Sequence, residues 1–212
     1  MVGEDMDSEQ IDGWDQESER AWKNDSKDLE FPENVVKVLK HLVPVPARVL
    51  DSGCGIGKHL RSFTKLGYIA MGVEQSKVGA GYARQLNPTV DILNMRIQDL
   101  ILKNVFDLVF TSAVLQHSLH ERQVVILQKF YEALKPNGIY FCTENTLTEQ
   151  NVSVHYKKTA AGGFEPVAFS EDASDGYSFT EKGWIKFLAE QGFRHIKTIW
   201  PWPFYFYRKV EK

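Results

Sequence analysis

The sequence predicts an α/β fold with a mainly parallel sheet. Two observations carry that expectation. From about Phe31 onward, short apolar runs alternate with segments of helical period. Directly behind the first run, the stretch RVLDSGCGIGKHL, Arg48 to Leu60, sets three glycines in five positions. A chain of 212 residues suits one domain of ordinary size. Such a chain buries roughly 70 % of the surface its unfolded form exposes, so a real core is available.

Strands are expected near Arg48 to Asp51, Ile69 to Glu74, Val90 to Leu93, Phe106 to Thr111, Gly138 to Glu144, His195 to Trp200 and Phe204 to Arg208. After His120, the spacing of Leu127, Phe130, Tyr131 and Leu134 predicts a helix with one buried face, ended by KPNG. A further helix is expected to open at SFTE, where Ser178 and Glu181 have capping-box spacing. It should bury Trp184, Phe187 and Leu188 and stop at Gly192. Between these two helices, residues 145–178 lose periodicity, and a loop that long reads as a substrate-side loop or lid.

Composition excludes several classes. Hydrophobic residues at 43 % and charged residues at 25 % are ordinary for a globular chain, and a net charge of -3 gives no broad basic field. Nucleic acid is therefore not an expected partner. No apolar run reaches the roughly eighteen residues of a membrane span. The N-terminus is acidic where a signal peptide would be basic, so the expected location is cytoplasmic. Cys54 and Cys142 are the only cysteines; they read as free thiols, and no metal-ligand spacing is present. Residues 1–30 carry eleven Asp and Glu against three Lys and Arg, which reads as an acidic arm preceding a domain over 31–212. Trp14 and Trp22 in that arm either cover a ligand or pack the arm onto the domain.

The glycine loop narrows the ligand. A dinucleotide fingerprint needs its third glycine where Lys58 stands, and a phosphate loop needs one more residue between Gly53 and Gly57 and a hydroxyl where His59 stands. What remains is bare backbone against which a ligand can press. Asp51 beside it favours an ammonium over a pyrophosphate. Glu74, 21 residues after Gly53, has the offset of a carboxylate that accepts from ribose hydroxyls. The implied ligand is a nucleoside with an amino group and no phosphate chain.

The pieces VLDSGCGIG, GVEQS, RIQDL, FDLVFTSAVLQH and LKPNGIYFCTE resemble, in content and order, the successive motifs of the class I S-adenosylmethionine-dependent methyltransferases. The resemblance implies a doubly wound, seven-stranded sheet with helices on both faces and an antiparallel last strand. It implies S-adenosylmethionine as cofactor, S-adenosylhomocysteine as product, and no metal. By the same resemblance, Asp51 and Gly53 face the methionine moiety and Glu74 the ribose, with Cys54, Gly55, Gly57, Gln75 and Thr111 around the cofactor. Asp99 and Leu100 face the adenine, and ligand sits at the carboxyl ends of the strands where strand order reverses.

Methyl transfer is an in-line displacement, so a protein must align the partners, exclude water and remove a proton from a hydroxyl or ammonium acceptor. His117, after the fourth strand, is the candidate base, with a structural hydrogen bond as its alternative role. Glu144, Asn145, His155 and Tyr156 are candidate acceptor contacts. The expected acceptor is a small molecule methylated at oxygen or nitrogen, by a monomer or homodimer. Two alternatives stand beside it. LQH, KPNG and TEN resemble the protein N-terminal methyltransferases, in which a histidine and an asparagine at the positions of His117 and Asn145 handle a terminal amine, although Ala113 and its neighbours replace that family's tryptophan. The other is a noncatalytic binding module that keeps the fold as a scaffold.

Overall fold

The structure is a computed structural model and describes residues 5–25, 27, 29–144, 156–160, 163–166, 179–201 and 203–211. Its strands are β1 (Arg48–Ser52), β2 (Ile69–Glu74), β3 (Asp91–Asn94), β4 (Phe106–Ser112), β5 (Leu134–Thr143), β6 (Tyr156–Lys158), β7 (Phe164–Pro166), β8 (Phe193–Ile199) and β9 (Phe204–Lys209). The helices are α1 (Asp5–Asn24), α2 (Glu33–Leu42), α3 (Lys58–Lys65), α4 (Lys77–Leu86), α5 (His120–Ala133) and α6 (Glu181–Glu190). Seven strands form one sheet in the order β3-β2-β1-β4-β5-β9-β8, the seven-stranded arrangement expected. β1 runs parallel to β2 and β4, and β2 parallel to β3, whereas the last strand, β9, is antiparallel to both β5 and β8. Strand order therefore reverses between β1 and β4.

The chain divides into two units, Met1–Ile101 with Phe106–Phe110, and Leu102–Val105 with Thr111–Lys212. In the first, Val49, Leu50, Val73, Leu108, Val109 and Phe110 are fully buried. Continuous apolar character is what a parallel strand covered on both faces requires. Val35 and Leu39, one helical turn apart, seat α2. The Ser76 hydroxyl accepts from the Gly79 N–H at 2.8 Å and caps α4. The acidic leader is helical over 5–24 and rests on α4, with the Trp22 ring stacked on Tyr82 at 4.4 Å and 4°. The Asp15 carboxylate accepts from the Ser76 hydroxyl and from the Val78 N–H at 3.2 Å, setting a negative charge at the positive end of α4.

In the second unit Leu127 and Phe130 are buried on one face of α5, as the period predicts, joined by Ile126, whereas Tyr131 is only half-buried. Leu134 is not part of that face. It opens β5, and its N–H closes the helix on the Phe130 carbonyl. The last helix begins later than SFTE suggests: Thr180 is the cap, its hydroxyl accepting from the Gly183 N–H at 3.3 Å, while Ser178 lies outside the described residues. Trp184, Phe187 and Leu188 are buried as expected. The 145–178 stretch includes an antiparallel ribbon, β6 with β7, that its weak periodicity did not disclose. Three-residue strands are too short for alternation to register. Tyr140, Phe141, Tyr205, Phe206 and Tyr207 form a fully buried aromatic block on β5 and β9.

Candidate functional site

The loop after β1 is tied to the end of β2. The N–H groups of Gly53 and Cys54 both donate to the Val73 carbonyl, at 2.8 and 3.0 Å, and the Gly57 N–H closes back on the Cys54 carbonyl at 2.9 Å. Two of its glycines are there for opposite reasons. Gly57 has φ +84, and a Cβ built on it would lie 2.5 Å from Asn87 Nδ2 and 3.1 Å from Ala83, so packing of α4 demands the bare backbone. Gly55 has φ +52, and a Cβ there would meet nothing within 4 Å, so its bare face looks onto open space.

Two carboxylates flank that space. Glu74 is almost fully buried and receives the Gly55 N–H on Oε2 at 2.8 Å and the Ser76 N–H on Oε1 at 2.7 Å. Burial raises its pKa, backbone N–H bonds from Ser76, Gly55 and Gln75 oppose that, and Asp15 adds to the rise. Asp51 is 1 % exposed, and its Oδ2 has no hydrogen-bond partner among the described residues. Desolvation first, and Glu74 second, push the Asp51 carboxyl well above the usual range. A buried carboxyl oxygen so placed lacks its polar partner.

The structure thus brings Asp51, Gly53, Gly55 and Glu74 together at the carboxyl ends of β1 and β2. Cys54 points into packing with Leu60, Ala80, Ala83 and Ile92, and burial raises its thiol pKa, which leaves it inert. Gln75 is half-buried and its carbonyl accepts from Asn94 Nδ2 at 3.0 Å. Asp99 lies exposed in a 3-10 turn, paired with Arg96 at 3.0 Å, next to the buried Leu100. Trp14 is half-buried on α1.

Sequence reasoning passed over His59. The ring is half-buried against Phe110 at 4.8 Å and Phe31 at 5.5 Å, and desolvation, with Lys58 second, lowers its pKa to about 4. It is a neutral imidazole beside the loop. Its position after Gly57-Lys58 was visible; its aromatic neighbours, from Phe31 and β4, come from chain segments far away. Lys58 itself pairs with Asp25 at 3.0 Å.

In the second unit Thr111 and Glu144 are buried together. The Thr111 hydroxyl donates to Glu144 Oε1 at 3.2 Å and shares a 2.9 Å hydrogen bond with the Tyr140 hydroxyl. The N–H groups of Val114 and Leu115 donate to Glu144 Oε1, both at 3.3 Å, and that of Gln116 to Oε2 at 3.4 Å. Burial nevertheless raises the Glu144 pKa to about 7, against the pull of those donors. His117 is half-buried at the end of the 3-10 turn Leu115–His117, its Nε2 3.5 Å from Gln116 Nε2. Tyr156 opens β6, and Asn145 and His155 lie outside the described residues.

The sheet order with its single antiparallel strand, and a glycine loop between β1 and α3 flanked by two acids, define a Rossmann-like methyltransferase fold. Residues 50–142 match the family of the methyltransferase domain. That match covers the glycine loop and the strands around it, and the chain has the fold of the class I S-adenosylmethionine-dependent methyltransferases. Among solved structures, the 1,6-didemethyltoxoflavin-N1-methyltransferase of Burkholderia thailandensis, with bound 1,6-didemethyltoxoflavin and S-adenosylhomocysteine, is similar with a TM-score of 0.70 and 16 % identity over 96 % of this chain and 87 % of that one. A structure from Listeria monocytogenes described as a putative S-adenosylmethionine dependent methyltransferase has a TM-score of 0.61 and 20 % identity, over 82 % of this chain and 96 % of that one. In sequence, a carboxy-S-adenosyl-L-methionine synthase of Glaesserella parasuis is 26 % identical over 59 % of this chain and 58 % of its own length. An uncharacterized protein of Rickettsia prowazekii is 30 % identical over 50 % of this chain and 46 % of its own. The chain therefore spans about half the length of these two curated relatives. Among the described residues no helix is long and apolar enough to cross a membrane.

Proposed function

We propose that this protein binds S-adenosylmethionine and transfers its methyl group to an oxygen or nitrogen atom of a small-molecule acceptor. One observation carries the reading: the buried, unpartnered Asp51 Oδ2 next to the open face of Gly55. The residues present fit the donor. Asp51 has the free oxygen to receive the ammonium of the methionine moiety, and gains its charge by giving up a proton as that cation arrives. The Glu74 carboxylate accepts backbone N–H groups from Gly55, Ser76 and Gln75, which leaves acceptor capacity for a ribose hydroxyl. At Gly55 a flat or extended body can approach the backbone where a side chain would stand. Asp99 and Leu100 are proposed for the adenine and Gln75 for the rim of the same ligand.

The bound donor supplies an electrophilic methyl group, which leaves sulfur with the bonding pair staying behind as the acceptor's lone pair attacks. The chain's own part is to hold and to deprotonate. Asp51 and Glu74 fix the two ends of the donor, and the tied loop presents it without rearrangement. His117 is proposed to take the acceptor proton as the new bond forms. The leader helix, through Asp15 and Ser76, buttresses the Glu74 end.

Titration calorimetry with S-adenosylhomocysteine tests the donor site, and no heat at millimolar ligand would leave a noncatalytic module. Incubation with tritiated donor and fractionated cell extract then reads the acceptor class. Label in metabolites supports a small-molecule acceptor. Label in protein would transfer the proposal to a peptide amine. The likeness to carboxy-S-adenosyl-L-methionine synthases adds one arm, mass analysis of the donor itself for a change of mass.

A further inference from the structure

The turn after β4 is held more completely than a surface connection needs. Ala113 is exposed and adopts φ 53, a left-handed backbone for a residue with a Cβ, and its N–H donates to the Thr143 carbonyl at 2.8 Å. The next three N–H groups, of Val114, Leu115 and Gln116, converge on the one Glu144 carboxylate. The N–H groups of His117 and Ser118 turn back to the carbonyls of Val114 and Leu115, at 3.3 and 3.0 Å. From the other side, the fully buried Gln123 donates its Nε2 protons to the carbonyls of Leu115 and Ser118, at 2.8 and 3.1 Å. Every backbone donor from Ala113 to Ser118 is thereby assigned. A left-handed residue followed by successive N–H groups aimed at one anion is an anion nest, here filled by the chain's own side chain. Backbone strain of this kind persists where the surroundings over-determine it.

We infer that Glu144 is a positioning residue, not an acceptor contact: its carboxylate, gripped by the Val114, Leu115 and Gln116 N–H groups opposite Gln123, fixes the turn that presents His117. The inference deepens the proposed function, since it rests on His117 acting toward the acceptor. A neutral amide cannot replace the carboxylate, because its NH2 end would meet backbone donors. A shorter carboxylate can keep the charge while losing reach. Glu144, Gln123 and the turn they hold all belong to the second unit, so the donor loop of the first should not notice the change.

The test uses isotope-labelled full chain and three forms: wild type, Glu144→Gln and Glu144→Asp. Amide hydrogen exchange is read residue by residue, together with the nitrogen and ring-proton resonances of His117, and S-adenosylhomocysteine is titrated into the same samples. In Glu144→Gln the amides of Val114, Leu115 and Gln116 are expected to move upfield and exchange at least tenfold faster. The His117 ring resonances shift, while amides in α5 and β5 keep their protection. Glu144→Asp restores part of that protection, and ligand affinity stays within threefold of wild type in both. Unmoved His117 resonances in Glu144→Gln, or a loss of protection spread evenly over α5 and β5, overturns the assignment. If Glu144→Gln does not fold, Glu144→Asp carries the same reading. If neither folds, Glu144 is a requirement of the fold and the positioning role is refuted. Absence of ligand binding in wild type would sink the proposed donor site alone, because the amide and imidazole signals are read without it.

Discussion

Replacing Gly57 and Gly55 by alanine, one at a time, separates packing from ligand accommodation within a single loop. Both residues have positive φ, so each alanine costs about 1–2 kcal/mol for a left-handed backbone. At Gly55 that is the whole cost to the fold, because a Cβ there meets nothing within 4 Å. At Gly57 the new methyl would lie 2.5 Å from Asn87 Nδ2. That amide must move, although it donates at 2.9 Å to the Gly57 carbonyl and at 3.1 Å to the Ala83 carbonyl. Weakening a buried pair of this kind adds roughly 1–3 kcal/mol, so Gly57→Ala should lose about 2–5 kcal/mol in total, a large share of the 5–15 kcal/mol typical of a domain. Urea denaturation followed by circular dichroism measures both variants, and S-adenosylhomocysteine calorimetry measures the site. Gly57→Ala should unfold far earlier than Gly55→Ala. Gly55→Ala should bind ligand at least tenfold more weakly, about 1.4 kcal/mol, because its methyl occupies the donor's side of the loop. Equal losses of stability in the two variants would refute the packing argument. Unchanged affinity in Gly55→Ala would refute the claim that this face receives the donor.

The other expectations concern charge and packing. The folded pKa of Asp51 is raised, so folding favours its protonated form; its contribution is full below about pH 4 and is lost as pH rises through the folded value. Stability should therefore fall with rising pH, with Glu74 and Glu144 acting in the same direction. Asp51→Asn should flatten part of that slope in urea midpoints taken from pH 4.5 to 8, and a slope identical to wild type would contradict it. Ligand binding should in turn release a proton from Asp51, readable as a heat that varies with the ionisation enthalpy of the buffer. His59, whose folded pKa is lowered to about 4, should remain neutral at pH 5.5 in an NMR titration; a midpoint near 6.5 would remove the desolvation argument. Trp22→Ala removes the stack on Tyr82, and with it about 0.5–1.5 kcal/mol of aromatic pairing beyond area burial. Limited proteolysis should then cut within residues 5–24 faster than in wild type, and an unchanged cleavage rate would mean that the polar contacts of Asp15 hold α1 alone.

The sheet and the donor loop were legible in the sequence because their signals are local. A run such as VLDS followed by glycines needs no distant partner to read as a strand meeting a ligand loop, and α5 shows its face in Leu127 and Phe130, one turn apart. Asp51 and Glu74 were legible for the same reason, each ending an apolar run at a fixed offset. What the sequence could not tell was which polar groups already had partners. Only folding reveals that Asp51 Oδ2 is left open while Glu144, the same chemistry on a neighbouring motif, is filled by three N–H groups from a turn about 30 residues earlier. The acidic leader read as an arm by composition, but its helix is fixed on α4 by a stacked Trp22 and a capping Asp15, contacts that span some 60 residues. Periodicity records which face of an element is apolar; hydrogen-bond satisfaction and desolvation depend on atoms brought together from remote parts of the chain, and those are set by the tertiary structure.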